Sequence, residues 1–273
     1  VAPRPSTGPP PESRMVRVGD LRLRVSRQGA GPPLLLIGGL GANLEMWRPL
    51  RRHLGDRHTI AFDAPGTGRS TTPRIPLRMR ALARVVRGLL DELGEDRVDV
   101  LGYSFGGALA QQLAHDAPAR VGRLILAATN SGAVSVPGRP LSVVHLMSPL
   151  RYHSAEYLRR AVPVMAGGRT ARDPEALRRH TADRLVAPPS LWGYQSQMYA
   201  MTGWTSALWL HRLPCPTLVL SGDDDPLVPL ANARFLARRI PGARLHIVPG
   251  GGHLFLIDQP EDAADVITQF LAG

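Results

Sequence analysis

The chain has 273 residues, 44% of them hydrophobic, and a formal net charge of +11. That length suits one large α/β domain with room for an inserted subdomain, and no stretch approaches the roughly 18–20 consecutive apolar residues of a membrane helix, so no integral membrane contact is expected. Nor does the charge point to nucleic acid: all 33 basic residues are Arg and they are scattered, with Arg80, Arg84 and Arg87 on the solvated face of a helix whose other face carries Leu82, Val85, Val86, Leu89 and Leu93.

The Pro-rich opening, VAPRPSTGPPPESR, lacks the apolar core of a signal peptide, and residues 1–13 are expected to form a disordered arm. Two β-rich runs, 14–19 and 20–26, flank Gly19-Asp20 as a hairpin. Leu34-Leu35-Leu36-Ile37 is a continuous apolar run, as in a strand buried on both faces of a parallel sheet. A helix over 44–54, capped by Asn43, a strand over 58–62, a helix over 78–93 and a strand over 98–103 follow. A small-residue helix over 105–117 stops before Pro118, and a strand runs over 124–128.

From Asn130 to Arg212 the rhythm changes. Strand-like runs vanish, helical segments take over, and one of them is capped by Asp173 with Pro174 in its first turn. Seven of the nine Trp and Tyr residues lie here. Alternation then resumes with strands at 217–220 and 244–248 and helices at 230–240 and 260–271. The expected fold is a mostly parallel, doubly wound α/β sheet, with core segments 14–129 and 213–273 and a helical cap inserted over 130–212. The single cysteine, Cys215, allows no internal disulfide and fits a reducing cytoplasm.

Gly102-Tyr103-Ser104-Phe105-Gly106 matches G-x-S-x-G in the context that matters: a hydrophobic strand enters the serine and a helix leaves it. Small flanking residues allow the sharp turn that lifts Ser104 Oγ above the carboxyl edge of the sheet. A serine hydroxyl needs a base. His253 follows Gly250-Gly251-Gly252 in the loop after the last strand, again at the carboxyl edge, whereas His115 and His246 sit within a helix and a strand. The imidazole in turn needs a carboxylate. The loop Ser221–Leu230, SGDDDPLVPL, offers Asp223, Asp224 and Asp225, while the alternative acid position after the strand at 124–128 holds Thr129 and Asn130. The Asp triplet does not fit a calcium loop, because Val228 and Arg234 stand where Gly and Glu are required. Two backbone N–H groups should receive the oxyanion: that of Phe105, just after the nucleophile, and that of Leu40 in the GGLGAN loop. No metal or cofactor is expected.

These features mark the α/β-hydrolase superfamily. GLGANLEMW (39–47), GGALAQQLAHDAP (106–118), LILAATNSGAVSVPG (124–138), GWTSALWLH (203–211), SGDDDPLVPL (221–230) and GGHLFLI (251–257) resemble intracellular medium-chain-length polyhydroxyalkanoate depolymerases, a likeness that spans roughly residues 30–271. The resemblance implies a serine hydrolase that degrades stored bacterial polyester, in the cytoplasm and in contact with polyester granules. It implies Ser104 as nucleophile, His253 as base and, among the three aspartates, Asp225 as acid, which precedes Pro226 and stands 28 residues before His253. Two departures stand out: Phe105 where the family is expected to have Trp, and Gly38-Gly39 where Asn-Gly or His-Gly is usual.

Tyr103, Trp192, Tyr199, Trp204 and Leu254 are the expected substrate contacts, and the aromatic and Met-rich stretch LWGYQSQMYAMTGWTSALWL either lines an acyl tunnel or touches the granule, or else packs as ordinary core between the cap helices. Competing readings are a hydrolase of small esters, lactones or carbon–carbon bonds, an acyltransferase, and a granule-associated scaffold without activity.

Overall fold

The computed structural model describes residues 12–273. The expected arm therefore lies outside the described residues except for Glu12 and Ser13, and Ser13 Oγ accepts a hydrogen bond from Arg24 Nε at 3.0 Å. Among the described residues eight strands form one sheet: β1 (Arg14–Val18), β2 (Leu21–Gln28), β3 (Ala30–Ile37), β4 (Arg57–Phe62), β5 (Val98–Tyr103), β6 (Val121–Ala127), β7 (Thr217–Gly222) and β8 (Arg244–Val248). Their order is β1-β2-β4-β3-β5-β6-β7-β8. Strand β2 runs antiparallel to β1 and β4; every other pairing is parallel.

Helices cover both faces: α1 (Arg48–His53), α2 (Met79–Leu93) and α3 (Phe105–Asp116) in the first half of the chain. Between β6 and β7 come α4 (Pro140–Met147), α5 (Ala155–Ala166), α6 (Gly168–Arg172), α7 (Pro174–Leu185) and α8 (Leu191–Met201), then α9 (Leu230–Arg239), α10 (Phe255–Asp258) and α11 (Pro260–Ala272). The alternation of β3 shows why both faces must be covered. Leu35 and Ile37 pack with Leu89 of α2 and Leu109 of α3, whereas Leu34 and Leu36 pack with Leu50 of α1 and Ile267 of α11. Arg80, Arg84 and Arg87 are exposed on α2, as its periodicity predicts.

The helix expected over 44–54 begins differently. Residues Leu44–Trp47 form a 3₁₀ turn, and the Asn43 side chain does not cap it. Asp63, after β4, does so instead: its Oδ1 accepts from Leu44 N at 2.7 Å and its Oδ2 from Arg69 N at 2.9 Å. Asn43 Nδ2 turns to the segment between β6 and β7 and donates to the carbonyls of Asp183, Arg184 and Ala187. Burial pushes the Asp63 carboxyl up to about 6, against the pull of those N–H groups and of Arg24. The Asp173 cap is present, with Oδ1 accepting from Glu175 N at 2.8 Å.

The topology decides where chemistry is placed. From β3 the chain crosses to β4 on one side, and from β5 it crosses to β6 on the other. The carboxyl ends of the neighbours β3 and β5 thus flank a topological switch point, where open α/β sheets bind ligands. The turn after β5 is tight: a Cβ on Gly106 would lie 2.0 Å from the Ile37 carbonyl oxygen, and one on Gly102 would lie 2.4 Å from the Gly106 carbonyl oxygen. Gly106→Ala is therefore expected to lower the urea midpoint by the equivalent of about 1–3 kcal/mol with little change in slope. A midpoint equal to that of the parent protein would contradict this close approach.

Candidate active site

Ser104 caps the amino end of α3 with φ 54° and ψ −117°, a left-handed conformation that a side chain rarely adopts. The turn is braced from both sides. Ser104 N donates to the Ala127 carbonyl at 2.9 Å, and Thr129 Oγ1 donates to the Ser104 carbonyl at 2.7 Å. Thr129 occupies the position where a carboxylate was sought in the sequence; it supports the elbow instead.

His253 arrives from the loop after β8. Its N–H donates to the Ala166 carbonyl of α5 at 2.5 Å, and its own carbonyl accepts from the Tyr103 hydroxyl at 2.9 Å. The ring is thereby aimed: Nε2 lies 3.0 Å from Ser104 Oγ and Nδ1 lies 2.7 Å from Asp225 Oδ2. The other Asp225 oxygen accepts from Leu227 N and Val228 N, each at 2.8 Å. Asp225 and His253 are both buried, 7% and 6% exposed.

The three aspartates have three separate employments. Asp223 Oδ1 accepts from Gly250 N at 2.7 Å and pins the loop that carries His253. Asp224 Oδ2 accepts from Gly168 N at 3.1 Å and from Arg172 Nη2 at 2.6 Å, both in α6. Only Asp225 meets the imidazole. The carboxylates of the triplet diverge onto different partners rather than converging on one point.

Leu40 and Phe105 both line the cavity that contains Ser104. Phe105 is the first residue of α3, so its N–H has no acceptor within the helix. The Leu40–Gly41 peptide is held at both ends by the segment between β6 and β7. Its carbonyl accepts from Arg151 Nη2 at 3.2 Å and from the Tyr152 hydroxyl, and its N–H donates to Gln197 Oε1 at 2.8 Å. Arg151 also donates to the Tyr194 hydroxyl at 3.0 Å. The sequence carried no local pattern for this clamp, because its members lie more than a hundred residues from the loop they hold.

The cavity beside Ser104 measures about 340 Å³ and is mostly apolar, with Val136, Val143, Leu146, Met198, Met201 and Val228 in its wall. A wider hollow of about 590 Å³ lies at the opposite edge, against Pro32, Arg97, Arg123 and Arg244, away from every residue named for the site.

The expected substrate contacts fall in different places. Tyr103 lies beside Ser104 and His253, lining a second, smaller chamber. Trp192, Tyr199, Trp204 and Leu254 line neither space. Trp192 is half exposed and donates to the Pro73 carbonyl; Tyr199 lies under the Arg78 guanidinium. Trp204 donates to Gln112 and packs edge-on against Trp209, while Leu254 belongs to the core around α10 and α11. The flexible methionines of α8, Met198 and Met201, line the cavity where Trp192 and Tyr199 do not.

A family model for the alpha/beta hydrolase fold matches residues 32–260. The chain belongs to the α/β-hydrolase family. It is 47% identical, over 94% of its length and 92% of the relative's, to a poly(3-hydroxyalkanoate) depolymerase of Ectopseudomonas oleovorans. A pimeloyl-[acyl-carrier protein] methyl ester esterase of Aromatoleum aromaticum is 31% identical over 89% of this chain and 99% of that one. Among solved structures, a thermophilic esterase from Thermogutta terrifontis superposes with a TM-score of 0.79 at 28% identity, covering 96% of this chain and 98% of that one. Along the chain, the hydrogen-bonded trio runs Ser104, Asp225, His253, the serine–acid–histidine order of α/β-hydrolases.

Two substitutions separate the adjacent carboxylates. Asp225→Asn is expected to lower kcat on a nitrophenyl ester by about 10⁴, by analogy with serine-protease triads. Asp224→Asn, which loses a half-exposed ion pair, should leave kcat within about threefold and change stability by less than about 1 kcal/mol. The reverse ranking would reassign the acid. Gln197→Ala should lower kcat more than it raises KM, by roughly ten- to a hundredfold, since it frees the loop that carries Leu40.

Proposed function

We propose that the protein cleaves the ester bonds of medium-chain-length poly(3-hydroxyalkanoate) through an acyl-enzyme on Ser104. The reading rests foremost on one observation: a buried Asp225–His253 pair is hydrogen-bonded to Ser104, which opens onto an apolar cavity of about 340 Å³. The size falls within the range of small-molecule sites, and the wall suits the alkyl side chain of a 3-hydroxyacyl unit. The 47% identity to a depolymerase of that polyester supports the substrate class.

In this mechanism Ser104 Oγ attacks an ester carbonyl carbon as His253 Nε2 takes its proton. Asp225 holds the Nδ1 tautomer and offsets the charge of the imidazolium. The Leu40 and Phe105 N–H groups receive the oxyanion. The tetrahedral intermediate collapses by breaking the bond to the alkoxide, which takes the proton from His253. Water then attacks the acyl-enzyme with the same imidazole as base, giving the carboxylic acid and restoring Ser104. The proton transfers use groups already hydrogen-bonded in line, Ser104 Oγ to His253 Nε2 and His253 Nδ1 to Asp225 Oδ2.

Contact with a polymer surface fits α4. Val143 and Leu146 of this helix line the cavity, and Leu141, Val144 and Met147 of the same helix face outward, 56%, 62% and 57% exposed. An apolar helix with both a lining and an outward face is suited to the surface of a polyester granule in the cytoplasm. The charged substitutions Leu141→Asp and Val144→Asp together should raise the KM for emulsified polyester while leaving turnover of a soluble nitrophenyl ester within about twofold; a matching loss on both substrates would contradict a surface role. The substrate itself is tested by comparing emulsified medium-chain polyester with nitrophenyl esters from acetate to dodecanoate. Clearing of the emulsion with preference for the longer esters is the expected result. Rapid turnover of acetate with no clearing would place the protein among the small-ester hydrolases.

A further inference from the structure

The small chamber on the His253 side of Ser104 is built of different material from the apolar cavity. It holds about 20 Å³, and Leu40, Ser104, Leu146 and Leu227 form the partition between the two spaces. His253 and Tyr103 line the small chamber and not the large one. Arg151 and Arg184 reach it from the segment between β6 and β7, both buried, at 3% and 6% exposed.

Arg151 is accounted for by the Leu40 carbonyl and the Tyr194 hydroxyl. Arg184 is not. Among the described residues its guanidinium has no carboxylate partner, its buried Nε has no hydrogen-bond acceptor, and it rests on the face of Tyr152 at 4.8 Å. Burial pulls its proton affinity down, and the like charge of Arg151 adds to that pull against the opposing influence of Tyr152. His180, buried one turn earlier on α7 with neither ring nitrogen partnered, is pushed towards its neutral form by burial and then by Arg184 and Arg151. Asp225, the carboxylate of the triad, is already saturated by His253, Leu227 N and Val228 N. A cation buried without a counter-charge is costly. A fold that keeps one beside its reactive serine, facing a space too small for an alkyl chain, leaves a place for an anion.

We propose that Arg184 receives the free carboxylate of the leaving fragment, so that the enzyme works from the carboxyl end of a 3-hydroxyacyl chain. The inference rests on the ester-hydrolase reading above and adds the end from which the chain is attacked. The leaving fragment is the one that takes its proton from His253, and His253 lines the arginine chamber. In a terminal 3-hydroxyacyl unit the carboxylate carbon is two bonds beyond the carbon that bears the departing oxygen, so the carboxylate stands close to the site of protonation. The chamber admits an oxygen-sized group at its present width, and the Leu146 and Leu227 side chains of the partition are the parts that must yield to seat the whole carboxylate. The unit's alkyl group stays on the apolar side. The balance is that of hydrolysis: the scissile acyl C–O bond breaks, water supplies the new C–O bond and the protons, and one 3-hydroxy acid is released from the chain end at each cycle.

The test uses the dimeric ester of a medium-chain 3-hydroxy acid and its methyl ester, which differ in the terminal charge and by one methyl group, and follows cleavage of the internal ester bond. At pH 7.5 the parent enzyme should prefer the free acid in kcat/KM by roughly tenfold or more, the contribution of one charge-assisted hydrogen bond. Arg184→Gln should bring that ratio close to one, and Arg184→Lys should retain part of it. A parent enzyme with equal rates on both dimers, or an Arg184→Gln enzyme that keeps the preference, overturns the proposal. Should Arg184→Gln fail to fold, the parent ratio still decides. Turnover of the methyl ester without preference removes only the chain-end reading, whereas no turnover of either dimer or of polyester removes the polyester reading itself.

Discussion

The close approach of three backbone segments at the end of β5 is the constraint on which the rest depends. Ser104 holds a left-handed conformation because Gly102 and Gly106 leave no side chain between the turn, α3 and the carbonyls that end β3. That packing sets the serine oxygen at the switch point of the sheet, above the amino end of a helix whose first N–H groups are open. The energetic cost of the strained φ is met by hydrogen bonds from both neighbours, through the Ala127 carbonyl and the Thr129 hydroxyl. Once the elbow is in place, the remaining parts need only be brought to it.

Two sets of tethers do this. The loops after β7 and β8 are tied to each other by Asp223 and Gly250, and to the segment between β6 and β7 by Asp224 with Gly168 and by His253 with Ala166. On the other side Arg151, Tyr152 and Gln197 grip the Leu40–Gly41 peptide. The helices above the sheet edge therefore do more than roof the cavity. They hold His253 and one expected oxyanion donor in register with the serine, so that movement of those helices would change the geometry at Ser104 as well as access.

Much of this was legible in the sequence because it is encoded locally. Continuous apolar runs marked the buried strands, G-x-S-x-G sat between a strand and a helix, and triple glycine preceded His253. Local chemistry narrowed the acid to three neighbours, and only the hydrogen bonds to Gly250, Gly168 and His253 show how differently those three are used. What sequence reasoning missed is long-range. Asp63 displaced Asn43 as the cap at Leu44, because a buried carboxylate from the next strand reaches that N–H first. The aromatics of α8 and its flank were expected in the cavity, yet helical phase turns Met198 and Met201 inward and leaves Trp192 and Tyr199 outside. The buried arginines carried no motif at all; they stand out only when their partners are sought in three dimensions.

The central claim is that Ser104 is a nucleophile activated through His253 and Asp225. Its most direct test is reaction with a fluorophosphonate followed by intact-mass measurement and peptide mapping. The expected result is one adduct per chain, on Ser104, absent in Ser104→Ala and formed far more slowly in His253→Ala. No adduct on the folded parent protein, or an adduct on another residue with Ser104 unmodified, would contradict the account.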